Sequence, residues 1–236
     1  GAFNRLSKMD ENIRNKGVVA ASAGNHAQGL AFAAKHFGCE ATIFMPEATP
    51  LTKISGVKSY GANVVLVGEN FDEAYASAKK FATEHKKEFI HPFADDDVIA
   101  GQGTIALEIL EKVEDMQHII IPIGGGGLIS GVAIAAKAMN PNIKITGVVA
   151  SGARGMKDSF EARMPIDSVT VRTIADGIAV RDVTPKLLDI ILEYVDEIVE
   201  VTDNETANAI LFLLEKHKLV VEGAGAVATA ALMHKK

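Results

Sequence analysis

Short apolar runs alternate with segments in which apolar residues return every three or four positions, and the alternation continues along almost the whole chain. The runs predict strands over 18–21, 41–45, 63–67, 88–91, 118–123, 144–150, 197–201 and 219–221. The helical periods predict helices over 25–37, 51–60, 71–85, 98–112, 128–139, near 155–163, and over 185–194, 203–217 and 224–234. Strand and helix in repeated succession build βα units around mostly parallel sheets, so the fold class is α/β. Four such steps precede a turn at Asp95-Asp96-Asp97, and a second sheet is expected beyond it. Gly38 caps one helix, Asn140-Pro141-Asn142 stops another, and Thr202 with Glu205 offers a capping box. Residues 163–175 lack a period and read as an extended connection. The opening Gly1-Ala2-Phe3-Asn4-Arg5-Leu6 already lies inside an amphipathic helical pattern without a starting Met, and the last helix has no strand after it. Both ends read as cuts in a longer protein.

Two strand ends carry candidate chemistry. At Ile121-Pro122-Ile123-Gly124-Gly125-Gly126-Gly127-Leu128 a strand empties into four glycines and a helix begins at once. Residues without a Cβ let successive N–H groups converge on one anion, and the helix adds the positive end of its dipole. Close packing alone would also use glycines here. The second loop, Ser22-Ala23-Gly24-Asn25-His26-Ala27-Gln28-Gly29, follows the strand 18–21 and opens a helix, offering an amide, an imidazole and free N–H groups.

A dinucleotide site fails on spacing. In a G-x-G-x-x-G pattern the last position would be Ile129 or Ser130, and Val148-Val149-Ala150-Ser151 stands where an acidic ribose partner belongs. Arg154 keeps an NADP reading open as a minor alternative. No G-x-x-x-x-G-K-[ST] loop occurs.

Composition narrows the classes further. With 236 residues and 48% hydrophobic content the chain can bury a real core. A net charge of −6 with scattered lysines gives no field for nucleic acid. Cys39 is the only cysteine, so neither an intrachain disulfide nor a cysteine metal site can form, and a cytoplasmic setting fits. No apolar run reaches the roughly 18 residues of a membrane span.

Taken together the loops resemble the fold-type II pyridoxal-phosphate enzymes, in the threonine/serine dehydratase branch close to serine racemase. Ile99-Ala100-Gly101-Gln102-Gly103-Thr104, Ala175-Asp176-Gly177 and Glu222-Gly223-Ala224-Gly225-Ala226 extend the likeness, in family order, from residue 1 to about 232. The resemblance implies a two-lobed fold like the tryptophan-synthase β subunit, truncated at both ends. Residues 1–16 would be a helix of the large lobe, 17–95 the small lobe, and 96–236 the large lobe with the glycine loop, the cofactor lying between them. It implies pyridoxal 5′-phosphate held at its phosphate by Gly124, Gly125, Gly126, Gly127 and Leu128, with Asn25 on the phenolic oxygen and Gly177 and Glu222 beside the ring. Ser22, Gly24, Asn25 and His26 would take the substrate carboxylate.

The implied reaction is α,β-elimination of L-threonine or L-serine to a 2-oxo acid and ammonia, a step of amino-acid metabolism, in a homo-oligomer. The lysine that holds the cofactor as a Schiff base lies in a Ser-Phe-Lys-x-Arg-Gly-Ala stretch of the family. This chain begins at its Gly-Ala, so the lysine is absent and the chain alone is expected to be inactive. A family Ser-Gly-Gly-Asn segment near the pyridine nitrogen is likewise not reached, and Lys53, Lys58 and Lys157 match nothing that could replace the lysine. Ala23 stands where racemases carry Ser, which favours elimination, since a methyl moves no proton. Relatives that bind a divalent cation use a carboxylate after the strand ending near Val149. Here Ala150-Ser151-Gly152-Ala153 has none before Asp158, and no metal is expected. The alternatives are a serine racemase or a sulfide-using synthase of the same fold and, from another class, a non-catalytic module that binds a phosphate ligand.

Overall fold

A computed structural model describes all residues from Gly1 to Lys236. The chain divides into two compact units, Gly1–Gly101 and Gln102–Lys236.

The first unit contains α1 (Ala2–Lys8), α2 (Glu11–Arg14), β1 (Val18–Ala21), α3 (Asn25–Phe37), β2 (Ala41–Met45), α4 (Leu51–Lys58), β3 (Asn63–Leu66), α5 (Phe71–Glu84), β4 (Glu88–Phe89) and the first turn of α6 (Asp96–Lys112). Its sheet has the order β3-β2-β1-β4, with every pair parallel. All residues of β1 and β2 are buried, as parallel strands covered on both faces require. Alternation along the strand sends Val18 and Ala20 into one core with Leu30, Ala31 and Ala34 of α3. Val19 and Ala21 enter the other with Ala78 and Ala82 of α5. Leu6 and Met9 place residues 1–16 in the same core as α3. Arg5 adds ion pairs to Glu88 at 2.8 Å and Asp95 at 2.9 Å.

The second unit contains the remainder of α6, β5 (His118–Pro122), α7 (Gly127–Met139), β6 (Lys144–Ala150), α8 (Gly155–Ala162), a 3₁₀ turn (Asp176–Ile178), α9 (Pro185–Tyr194), β7 (Glu197–Val201), α10 (Asp203–Phe212), a π turn (Leu213–His217) and α11 (Gly223–Met233). Its parallel sheet runs β5-β6-β7. Ile145 and Val149 of β6 pack with α7 and α9, whereas Val148 and Ala150 pack with α11. No helix is long and apolar enough to cross a membrane.

Two local expectations are corrected. Residues 219–221 form no strand: no neighbouring strand pairs with them, Val220 is 90% exposed, and the π turn ends at Lys218 in the left-handed region with φ 59°. The predicted helix 203–217 is present over its whole length, as α10 continued by a π-helical last turn. The Asp95–Asp97 turn is the start of α6, because Oδ1 of Asp95 accepts N–H bonds from Asp97 at 2.9 Å and Val98 at 3.1 Å and so caps the helix.

Candidate functional site

In the first unit the site begins where β1 stops. Ser22 N–H still donates to the Phe44 carbonyl at 3.1 Å, which holds the loop at the carboxyl end of the sheet. Ser22 Oγ then accepts the Gly24 N–H at 3.2 Å and tightens the turn. α3 starts immediately, with Gly24 at its N-cap and no side-chain cap. A Cβ on Gly24 would meet no protein atom within 4 Å, so protein packing does not demand glycine there. An uncapped helix start with open space before it suits an anion. Asn25 is exposed at the first helical position.

His26 turns away from that opening. Its Nε2 lies 3.2 Å from the Ile90 carbonyl, the residue that continues β4 by donating to Val19 O at 2.8 Å. The carbonyl can only accept, so Nε2 carries the proton. Desolvation on burial pushes the imidazole down to about 4, with the Ile90 bond opposing and the neighbouring His91 reinforcing the drop. Part of the residue's surface still reaches solvent. A neutral His26 offers an anion its backbone N–H and a fixed loop, and no charge.

In the second unit β5 delivers the glycine turn. Ile123 N–H donates to Val148 O at 2.8 Å and its side chain is buried. Gly126 has φ +94° and a Cβ there would meet Ile191 Cδ1 at 3.0 Å and Met156 Cε at 3.2 Å. A Cβ on Gly124 would meet Ile178 Cα at 2.9 Å. Close packing therefore accounts for two of the four glycines. It does not account for the start of α7, which has no side-chain cap and opens with Gly127 and Leu128. Uncapped N–H groups at this glycine-rich helix start fit a phosphate bound through the backbone.

The same wall gathers the remaining predicted residues of this unit. Gly177 sits in the 3₁₀ turn beside Ile178, where a Cβ would meet Ala224 Cβ at 2.9 Å and Glu222 Oε1 at 3.5 Å. Glu222 is the N-cap of α11, and Gly223 behind it is pressed against the Ile174 carbonyl, 2.6 Å from its ideal Cβ. Gly124, Gly177 and Glu222, far apart in sequence, are thus neighbours through Ile178 and Ala224. After β6 the carboxylates are already engaged: Arg154 pairs with Asp158 and Glu200, each at 3.0 Å.

Sequence reasoning missed Ile90 and His91. Nδ1 of His91 accepts N–H bonds from Phe93 at 3.3 Å and Ala94 at 3.0 Å, and burial pushes this imidazole down as well. The His91-Pro92 pair at the end of the predicted strand 88–91 was the available signal.

Comparison with known proteins places these features in context. Residues 1–236 match the family described as Pyridoxal-phosphate dependent enzyme. An L-threonine ammonia-lyase of Thermotoga maritima is 48% identical over 100% of this chain, which spans 59% of that relative. Threonine deaminase isoform 2 of Solanum lycopersicum, in its processed form, superposes with a TM-score of 0.94 at 39% identity, covering 100% of this chain and 70% of that structure. Maize serine racemase gives the same TM-score of 0.94 at 37% identity over 98% of this chain and 70% of its own.

Proposed function

The chain belongs to the fold-type II pyridoxal-phosphate dependent enzymes, in their threonine/serine dehydratase branch, and from that premise we propose that it is the core of a threonine/serine ammonia-lyase. The observation that carries the reading is the start of α7, uncapped by any side chain, with Gly124 tight against Ile178 and Gly177 against Glu222 on one wall. When bound, pyridoxal phosphate supplies the electron sink for loss of the α-proton and the β-hydroxyl. The N–H groups of Gly124 to Leu128 hold its phosphate, Gly177 lines the ring, and Glu222 presents its carboxylate toward ring and substrate. Asn25 donates to the phenolic oxygen. Ser22, Gly24 and the first N–H groups of α3, including that of His26, bind the substrate carboxylate, and the neutral imidazole keeps that helix start in place through Ile90.

In the family motif the proton-transfer lysine lies about three positions before the residues that match Gly1 and Ala2. The intact enzyme acts on L-threonine or L-serine in the cytoplasm as a homo-oligomer, and the 236-residue chain alone does not turn over.

Incubating the chain with pyridoxal phosphate and L-threonine or L-serine should release no 2-oxobutyrate or pyruvate above the free-cofactor background. Borohydride reduction should leave its mass at 25.0 kDa. The natural-source protein, reduced in the same way, should be heavier and carry one pyridoxyl group. Turnover by the short chain would overturn the inactivity. A natural protein of 25.0 kDa without the group would overturn the enzyme and favour the phosphate-binding module. The likeness to maize serine racemase favours racemisation as a second reading. The Ala23 methyl opposes it, and formation of D-serine at a rate matching elimination would reverse that judgement.

A further inference from the structure

The turn between β4 and α6 is held by two side-chain acceptors in succession. Asp95 caps α6 through the N–H groups of Asp97 and Val98, while its other oxygen takes Arg5 Nε at 2.9 Å. Just before it, Nδ1 of His91 accepts from Phe93 and Ala94, the second and third residues after it. This is the pattern an Asn or Asp side chain makes in an Asx turn, with a ring nitrogen as acceptor. It works in one protonation state only, because a proton on Nδ1 would set a third donor against two donors.

We infer that His91 is a positioning residue: by accepting these two N–H groups it holds the strand end whose Ile90 carbonyl fixes His26 at the start of α3, and protonation of its Nδ1 loosens both attachments. The consequence for substrate binding rests on the proposed reading of the Ser22–Gln28 loop.

The surroundings determine when that happens. Lys79 and Tyr75 approach from α5, the Tyr75 ring centroid lying 5.9 Å from that of His91. Phe89 and Phe93 flank the imidazole at 6.4 and 4.7 Å. His26 faces it from α3, and Asp95 from its own loop. Burial and the Lys79 charge disfavour the imidazolium, and the Asp95 charge favours it, itself partly neutralised by Arg5. The latch is therefore closed at neutral pH and opens on the acid side of an ordinary histidine.

The test is NMR on the ¹⁵N,¹³C-labelled 236-residue chain, with no cofactor or substrate added. Neutral His91 should show an unprotonated Nδ1. On acidification its ring, the Phe93 and Ala94 amides, the Ile90 carbonyl and the His26 ring should share a midpoint below 6.5. His91→Asn keeps the acceptor without a titratable proton, so Phe93 and Ala94 should exchange at wild-type rates and lose the step. His91→Phe should speed their exchange about tenfold, as expected when a local restraint is removed, and move the His26 signals. Protonation of His91 without movement at Phe93, Ala94 and His26 would overturn the inference, as would an Asn variant that behaves like the Phe variant. If the Phe variant does not fold, the wild-type titration and the Asn variant decide. None of these signals needs turnover, so failure of the ammonia-lyase reading and failure of the latch are distinguished.

Discussion

At the scale of single residues, glycine and serine around α7 show how local identity and packing divide the work. Gly126 needs glycine twice over, for φ +94° and for the 3.0 Å approach of Ile191. Gly126→Ala should lower stability by roughly 1–3 kcal/mol, read from urea unfolding, from left-handed strain plus displacement of Ile191. Ser130, one turn further on, is fully buried and its hydroxyl has no hydrogen-bond partner. Ser130→Ala removes a desolvated polar atom and should leave stability unchanged or raise it by up to about 2 kcal/mol; a loss on urea unfolding would mean a role for the hydroxyl. Sequence reading found Asn25 and His26 because a polar pair at a helix start after a buried strand is a local signal. It did not find where the imidazole points, since the Ile90 carbonyl is 64 residues away.

At the scale of elements, α10 was legible to the residue at its start. Thr202 Oγ1 accepts the Glu205 N–H at 3.2 Å, and Glu205 Oε2 accepts the Thr202 N–H at 2.8 Å, completing the predicted box. Thr202→Ala should cost about 1 kcal/mol in chemical denaturation. Glu205 is pulled down to about 2, first by Lys236 and then by the Thr202 backbone. A depressed carboxylate stabilises above its unfolded value of 4.5, and that contribution is lost as pH falls toward about 2. Glu205→Gln should flatten the acid limb of stability in this window, and an unchanged limb would assign the loss to other carboxylates. The failed strand at 219–221 illustrates the opposite case. Lys218-Leu219-Val220-Val221 has strand composition, but a strand requires a neighbour, and no strand pairs with it.

At the scale of the whole molecule, global stability should carry the signature of His26 and His91, both depressed in the folded chain. Between 6.5 and about 4 the unfolded chain binds more protons at His26, so stability is full above 6.5 and falls as pH drops through this range. The loss from His26 is on the order of 2–3 kcal/mol. Urea midpoints between pH 7 and 4 should record it, and His26→Gln, which keeps a donor for Ile90, should remove most of the slope; an identical slope in that variant would place the titration elsewhere. The order of βα units, the parallel sheets and the two polar strand-to-helix loops were determined by the sequence itself, because burial period, glycine and capping residues act over one or two turns of chain. Only the tertiary structure decided that Gly124 and Gly126 are packed against Ile178 and Ile191, that Gly177 meets Glu222, and that the His26 ring meets the Ile90 carbonyl where burial pushes its pKa down. Those outcomes depend on desolvation and on contacts between residues distant in sequence, which no local pattern encodes.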